Sequence, residues 1–416
     1  MNKILVQNAF KDAFTKIKKS DIITRTTLQK SIRLSSEYDC NIFFKREDLQ
    51  TTRSFKIRGA YNKITNCMGD SNSPIVTASA GNHAQGVAIT CKSLGINHDI
   101  FVPETTPKQK INKIKEFGGN NLTLHVKGQN FDESSMYANE LCKEKNGVFI
   151  HPFNDMEVIF GQGTVGIEIH EDIKPDMIIC PIGGGGLAAG IGLFSKTIDE
   201  NFITIGVEPE NADSMKQSIL NGKKTTIHNL NTFVDGASVK TVGSANLVIC
   251  KKVLKNIYTV DNNMLSYDMV DIYQNEGIIL EPAGALSVSC LRSLDRNEIR
   301  GRNIVCVLSG GNNDISRYPD IMEKSLLYKD LKHYFIVSFI QRPGELKKFI
   351  NKILGENDDI TRFEYLKKNN KDSGSVLIGI ELQNSTDICN IIKNLEVSGL
   401  KYLKITEDDM IHSYLI

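Results

Sequence analysis

Apolar positions along this chain follow two rhythms that keep alternating. Between Asn8 and Ile17, Ala9, Phe10, Ala13, Phe14 and Ile17 fall on one face of a helix. The short run Ile42 to Phe44 then reads as a strand, followed by a charged turn, Lys45-Arg46-Glu47-Asp48. A helical pattern opens at Lys56 and runs through Tyr61, Ile64 and Met68. Ile75-Val76-Thr77-Ala78 is a continuous apolar run of strand length, and a helix through Val87, Ala88, Cys91 and Leu94 follows it. The rhythm repeats with strands at His98 to Pro103, Asn121 to Val126 and Val148 to His151, and helices at Pro107 to Phe117 and Phe131 to Lys145. Strands alternating with amphipathic helices predict a parallel sheet covered by helices.

After Phe153-Asn154-Asp155 a second region of the same kind begins. Its predicted helices are Gly161 to Glu171, one opening at Leu187, one from Ala212, one from Asp261 toward Glu276, and one at Pro282. Its predicted strands are Asp176 to Pro181, Ile203 to Glu208, Tyr258 to Val260 and Asn303 to Leu308. Gly163 and Gly166 in the first helix leave room for close packing. The last stretch changes character. Strand Tyr334 to Ile340, a helix from Pro343, strands Ile360 to Leu366 and Val376 to Leu382, helix Asp387 to Leu395 and strand Tyr402 to Thr406 give a βαββαβ order, which is ferredoxin-like. The domains expected are therefore 1–328, with a smaller subdomain at about 50–155, and 332–416.

The candidate chemistry lies where strands hand over to helices. Ser54-Phe55-Lys56-Ile57-Arg58-Gly59-Ala60 puts Lys56 at a helix start, where the dipole disfavours a cation. Such a lysine suits a neutral Schiff base with an aldehyde cofactor. Ser79-Ala80-Gly81-Asn82-His83-Ala84-Gln85-Gly86 joins a strand to a helix as a carboxylate-sized anion turn. Gly183-Gly184-Gly185-Gly186-Leu187 follows a buried strand and opens a helix, so successive N–H groups can face one phosphate. Neither the G-K-[ST] ending of a P-loop nor a G-x-G-x-x-G spacing is present. Ser309, in Ser309-Gly310-Gly311-Asn312-Asn313, ends a central strand where ligands bind in open α/β sheets.

Composition narrows the reading. The 50 Lys plus Arg balance 49 Asp plus Glu, leaving no basic excess for nucleic acid or a membrane surface. The 9 cysteines form no C-x-x-C, and Cys180 and Cys306 sit inside apolar runs, as buried thiols of a reducing, cytoplasmic compartment would. The apolar run Met177 to Phe194 is broken by Pro181 and four glycines, so no membrane span is expected.

Together these sites suit a phosphorylated aldehyde, pyridoxal 5'-phosphate. S-F-K-I-R-G-A, S-A-G-N-H-A-Q-G, G-G-G-G-L, E-P-A-G-A and S-G-G-N, in this order over residues 20–320, resemble the pyridoxal-phosphate-dependent threonine dehydratases of the tryptophan-synthase-β-like fold, fold type II. The tail resembles the single ACT-like regulatory domain of the biosynthetic, isoleucine-pathway enzymes, with Arg342-Pro343-Gly344-Glu345-Leu346 at the strand-to-helix step.

The resemblance implies roles. Lys56 forms the Schiff base and takes the α-proton, Phe55 flanks the ring, and Asn82 bonds the ring hydroxyl. Gly183, Gly184, Gly185, Gly186 and Leu187 bind the phosphate, and Ser309 meets the ring nitrogen. Ser79, Ala80, Gly81 and His83 receive the substrate carboxylate through backbone and side-chain donors. The activity implied is β-elimination from L-threonine, giving 2-oxobutanoate and ammonia, with L-serine as the alternative substrate. A serine at the ring nitrogen, in place of a carboxylate, favours elimination over transamination. Isoleucine and valine are the implied effectors and a homotetramer the implied assembly. Ala80 stands where related serine racemases carry a serine that can protonate the opposite face. Ser214 stands where the racemase metal site, after Val207-Glu208 and Ala212, has an aspartate, so no metal is expected. A catabolic threonine/serine dehydratase, a synthase of the same fold, and an amino-acid sensor that has lost catalysis remain as alternatives.

Overall fold

The computed structural model describes residues 2–67, 73–365, 371–406, 409–411 and 415. Met68 of the expected helix, Leu366 at the end of the expected strand and residues 367–370 after it lie outside them. The chain forms two compact units, Met1–Leu265 with Ile272–Asp314, and Ser266–Asp271 with Ile315–Ile416.

Two sheets build the first unit. The larger has six strands in the order Leu28–Ser31, Asn41–Arg46, Asn303–Leu308, Met177–Pro181, Ile203–Pro209 and Leu254–Val260. All neighbours are parallel except the Leu28–Ser31 edge. The smaller is wholly parallel, ordered Leu122–Val126, His98–Val102, Ile75–Ala78 and Val148–Phe149. Continuous apolar runs became central strands because helices cover both faces: Met177–Pro181 and Ile75–Ala78 are buried at every position.

The first helix, Lys3–Lys18, buries Val6, Phe10, Ala13, Phe14 and Ile17, extending the expected face by one turn. The helix expected from Gly161 begins earlier, at Met156. Asp155 is its cap, and its carboxylate accepts the N–H groups of Glu157 and Val158. Gly163 sits against the backbone of Gly190 on helix Gly186–Ile198, as the expected close packing requires. Helix Ser244–Val253 has no counterpart in the sequence expectations; Asn246, Ile249, Cys250 and Val253 are its buried residues.

The charged turn is also different from its sequence reading. Lys45 and Arg46 finish the strand, and Glu47–Leu49 forms a single 3-10 turn. Lys45 and Glu47 are fully buried, at 0% exposure, together with Arg58. The Arg58 guanidinium reaches both Glu47 oxygens at 2.8 Å and both Glu168 oxygens at 2.7 and 2.9 Å. Lys45 Nζ donates to Glu168 at 2.7 Å. Burial alone would raise the Glu168 carboxyl, but Arg58 and Lys45 hold it below the usual range.

The second unit carries an antiparallel sheet ordered Asp359–Tyr365, Ser373–Glu381, Lys332–Ile340 and Tyr402–Ile405. With helices Glu345–Ile353 and Ile388–Val397 it has the ferredoxin-like order. Its first strand begins at Lys332, two residues before the expected Tyr334, because Lys332 and His333 pair with Glu381 and Ile380 of the neighbouring strand; Lys332 is buried between Glu323 (3.5 Å) and Glu381 (3.7 Å). Phe335, Val337, Phe349, Ile378 and Leu395 are among its core residues. Among the described residues no helix is long and apolar enough to cross a membrane.

Candidate active site

The strands Met177–Pro181 and Asn303–Leu308 are parallel neighbours, so Gly183 and Ser309 leave the sheet at the same edge. Ser309 in turn fixes the lysine motif. Its carbonyl accepts the Phe55 N–H at 3.1 Å, and Ser54 bridges Gly310. Lys56 is the first residue of helix Lys56–Cys67. These pieces line one cavity, whose walls include Phe55, Lys56, Asn82, Gly183–Leu187 and Ser309. Every cofactor residue named from the sequence is therefore a wall of one cavity.

Lys56 Nζ donates to the Pro152 carbonyl at 3.1 Å and lies 5.3 Å from the Phe55 ring centroid. Burial pulls its ammonium down to about 8, with Glu281 acting the other way. The amine is thus far easier to deprotonate than a surface lysine. The glycine loop is shaped to hold an anion. Gly185 caps the helix with φ +92 and no side-chain cap, which leaves first-turn N–H groups open. A Cβ at Gly184 would lie 2.1 Å from Phe153 Cγ, so the loop runs hard against that ring. Ser309 Oγ donates to the Ala283 carbonyl at 3.3 Å, a long O–H···O contact that a ligand nitrogen can displace. A nucleophilic amine, an open N–H cradle and a displaceable hydroxyl around one cavity fit an aldehyde that carries a phosphate and a ring nitrogen.

We expect Gly184→Ala to weaken cofactor binding by about tenfold or more, since overpacking of this kind costs about 1–3 kcal/mol. Absorbance titration of the apo-protein would measure it, and unchanged affinity would mean that the loop does not hold the phosphate.

The turn after Ile75–Ala78 is built as expected. Helix Asn82–Leu94 starts behind Gly81 without a side-chain cap, and Ser79 Oγ accepts the Gly81 N–H at 3.2 Å. Ser79, Ala80, Gly81 and His83 do not line the cavity, whereas Asn82 does. The His83 side chain is engaged away from the turn. Its Nε2 meets the Ile150 carbonyl at 3.0 Å, so that nitrogen carries the hydrogen. Burial and the nearby Lys56 lower the imidazole to about 3, leaving Nδ1 bare and without a partner. A neutral His83 in this tautomer has no donor left for a carboxylate. The backbone N–H groups of the turn and the Ser79 hydroxyl, whose oxygen only accepts from Gly81, remain as donors.

The structure also brings in residues to which the sequence gave no role. Glu281 and Asn312, both inside recognised motifs, clamp Asn82 from two sides. Asn82 Nδ2 donates to Glu281 Oε1 at 2.7 Å, and Asn82 Oδ1 accepts from Asn312 Nδ2 at 2.7 Å. Burial and Asp235 raise the Glu281 carboxyl to about 7. Motif membership was the signal that could have marked both residues. Pro152 and Phe153 had no such signal. Glu208 accepts the backbone N–H groups of Met215 and Lys216, each at 2.8 Å, so its carboxylate is already engaged.

A family model described as pyridoxal-phosphate dependent enzyme matches residues 19–310, and one described as the C-terminal regulatory domain of threonine dehydratase matches residues 323–415. The biosynthetic L-threonine dehydratase IlvA of Halalkalibacterium halodurans is 45% identical over 95% of this chain and 96% of its own length. The enzyme of the same name from Staphylococcus aureus strain RF122 is 45% identical over 97% of both chains. Among solved structures, the processed form of threonine deaminase isoform 2 from Solanum lycopersicum superposes with a TM-score of 0.71 at 36% identity, covering 76% of this chain and 94% of its own. A serine racemase from Dictyostelium discoideum follows at 0.68 and 30%, over 74% of this chain and 98% of its own. With relatives that align from end to end and a regulatory model that claims the tail, this chain belongs to the pyridoxal-phosphate-dependent biosynthetic threonine dehydratases.

Proposed function

We propose that this chain converts L-threonine to 2-oxobutanoate and ammonia, the first step of isoleucine biosynthesis, under feedback control through its tail. The observation that carries the reading is the Lys56 amine, drawn down to about 8 by burial and facing an open glycine cradle. Bound pyridoxal phosphate supplies an aldehyde that captures amino groups and a ring that draws electrons from the α-carbon.

The chain's own residues do the rest. The N–H groups of Gly183 to Leu187 hold the phosphate, and Phe55 flanks the ring. Asn82, fixed between Glu281 and Asn312, has one amide hydrogen left, which would bond the ring hydroxyl. Ser309 would meet the ring nitrogen as a neutral hydroxyl. The open first turn behind Gly81 receives the substrate carboxylate. The Lys56 amine would take the α-proton and return it to the departing β-hydroxyl, which would leave as water. Hydrolysis of the resulting enamine then frees ammonia. Ala80 offers no acid on the opposite face, which disfavours racemisation.

Residues 1–328 form the catalytic domain in this reading and 332–416 the regulatory one. Isoleucine inhibits there and valine opposes it, which requires that each bind the active and inhibited states with different affinity. A homotetramer completes the reading by resemblance. All nine cysteines are free thiols, which supports a reducing, cytoplasmic setting.

The test is 2-oxobutanoate release from threonine by the cofactor-loaded protein. We expect product, less product with isoleucine, and loss of that inhibition in a chain ending at Leu331. Indifference of the full chain to isoleucine would demote the tail to assembly. A loaded protein releasing no product from threonine would overturn the activity.

A further inference from the structure

Asn246 is the third residue of helix Ser244–Val253 and is 0% exposed. Its Nδ2 donates to two carbonyls, Gly184 at 2.5 Å and Phe153 at 3.0 Å. Its Oδ1 is buried without a partner. The reverse orientation would set an amide oxygen against two carbonyl oxygens, so the two donated bonds fix the side chain. An orphaned buried oxygen is costly, and here it accompanies a donor pair that joins two separate segments.

Those segments are the two halves of the cofactor site. Gly184 lies in the glycine loop. Because the peptide is planar and trans, turning its carbonyl toward Asn246 turns the Gly185 N–H to the opposite side. Phe153 supplies the ring beneath Gly184, and its neighbour Pro152 accepts the Lys56 amine. The helix carrying Asn246 is itself pinned to that turn, since Asn154 Oδ1 accepts the Ala245 N–H at 3.1 Å. His151 Nδ1 closes the turn by accepting the N–H groups of Phe153 (3.2 Å) and Asn154 (2.9 Å).

We infer that Asn246 is a positioning residue for the cofactor phosphate, setting the peptide planes of the glycine loop and locking the loop to the turn that holds Lys56. The inference rests on the reading that Gly183–Leu187 bind that phosphate.

The experiment uses the full-length Asn246→Ala protein, freed of cofactor and titrated with pyridoxal phosphate. Thermal melting of the apo-protein and the ³¹P signal of the bound phosphate are recorded alongside. Loss of two hydrogen bonds is expected to weaken binding by about tenfold or more and to move the ³¹P signal. Asn246→Ser, which keeps one donor, should recover part of both. Should Asn246→Ala not fold, Asn246→Ser is compared with wild type in the same way. Affinity within about twofold of wild type and an unmoved ³¹P signal would overturn the proposal. So would an affinity loss no larger than the unfolded fraction of the apo-protein explains. Gly184→Ala separates the two levels. A ³¹P signal that moves in Gly184→Ala but not in the Asn246 variants refutes the role of Asn246 alone, and one that moves in neither refutes the phosphate cradle.

Discussion

Lys56→Ala should leave a folded protein with at least about 10⁴-fold less threonine elimination, because one side chain is both the covalent anchor and the base for the α-proton. The amine's hydrogen bonding in the free protein is modest, a single 3.1 Å bond to the Pro152 carbonyl, so its removal deletes little structure. Melting temperature should change far less than activity. Borohydride should link the cofactor to wild type and fail to do so in the variant. The pH dependence of loading follows from the same amine. Only the deprotonated amine attacks an aldehyde, and burial sets the free Lys56 ammonium at about 8. The loading rate of apo-protein should therefore rise nearly tenfold per pH unit well below 8 and flatten above it. A rate still climbing steeply at pH 10 would mean that the amine is not desolvated. Full activity in Lys56→Ala would end the mechanism.

Arg58→Ala should be the most destabilising single change in the catalytic unit. Arg58 is among its largest fully buried side chains, and its fork bridges Glu47 on the 3-10 turn to Glu168 on helix Met156–Asp172. Truncation leaves two buried carboxylates with weaker partners, Thr26 and Gln50 for Glu47 and Lys45 for Glu168. Breaking such a buried array costs about 3–5 kcal/mol. Arg58→Lys keeps the charge but cannot fork to both acids, so it should fall between. Since Arg58 lies two residues from Lys56, the Arg58→Lys protein should also bind cofactor less tightly while still folded. Denaturant midpoints and cofactor titration on the same samples would show both effects. An Arg58→Ala protein as stable as wild type would mean that the array contributes only geometry, as buried ion pairs sometimes do.

This array shows where sequence reading stopped. Lys45-Arg46-Glu47-Asp48 has the composition of a solvated turn, and nothing local says that Lys45 and Glu47 are buried. Their burial is tolerable only because Glu168 sits 110 residues from Arg58 in the chain and packs beside it. Helix Ser244–Val253 went unseen for a related reason. It follows a long polar connection, and its buried stripe of Asn246, Ile249, Cys250 and Val253 includes an asparagine that looks like a surface residue until Gly184 and Phe153 are placed next to it. His83 differs in the opposite direction. The resemblance implies a donor there, and only the Ile150 carbonyl on a neighbouring strand end shows that the one N–H of its ring is taken.

By itself the sequence determined what is local. Hydrophobic period decided strand against helix, glycine runs marked where N–H groups can converge, and strand-end motifs marked Lys56, Asn82, Gly183 to Leu187 and Ser309 as candidates. Those features depend on neighbours within a few residues, so they are written in the chain. The tertiary structure alone decided which polar groups are spent on one another. Asn82 meets Glu281 across 199 residues and Asn312 across 230. Such pairs leave no local trace, because a buried partner and a solvated one call for the same residue types and only folding removes the water between them.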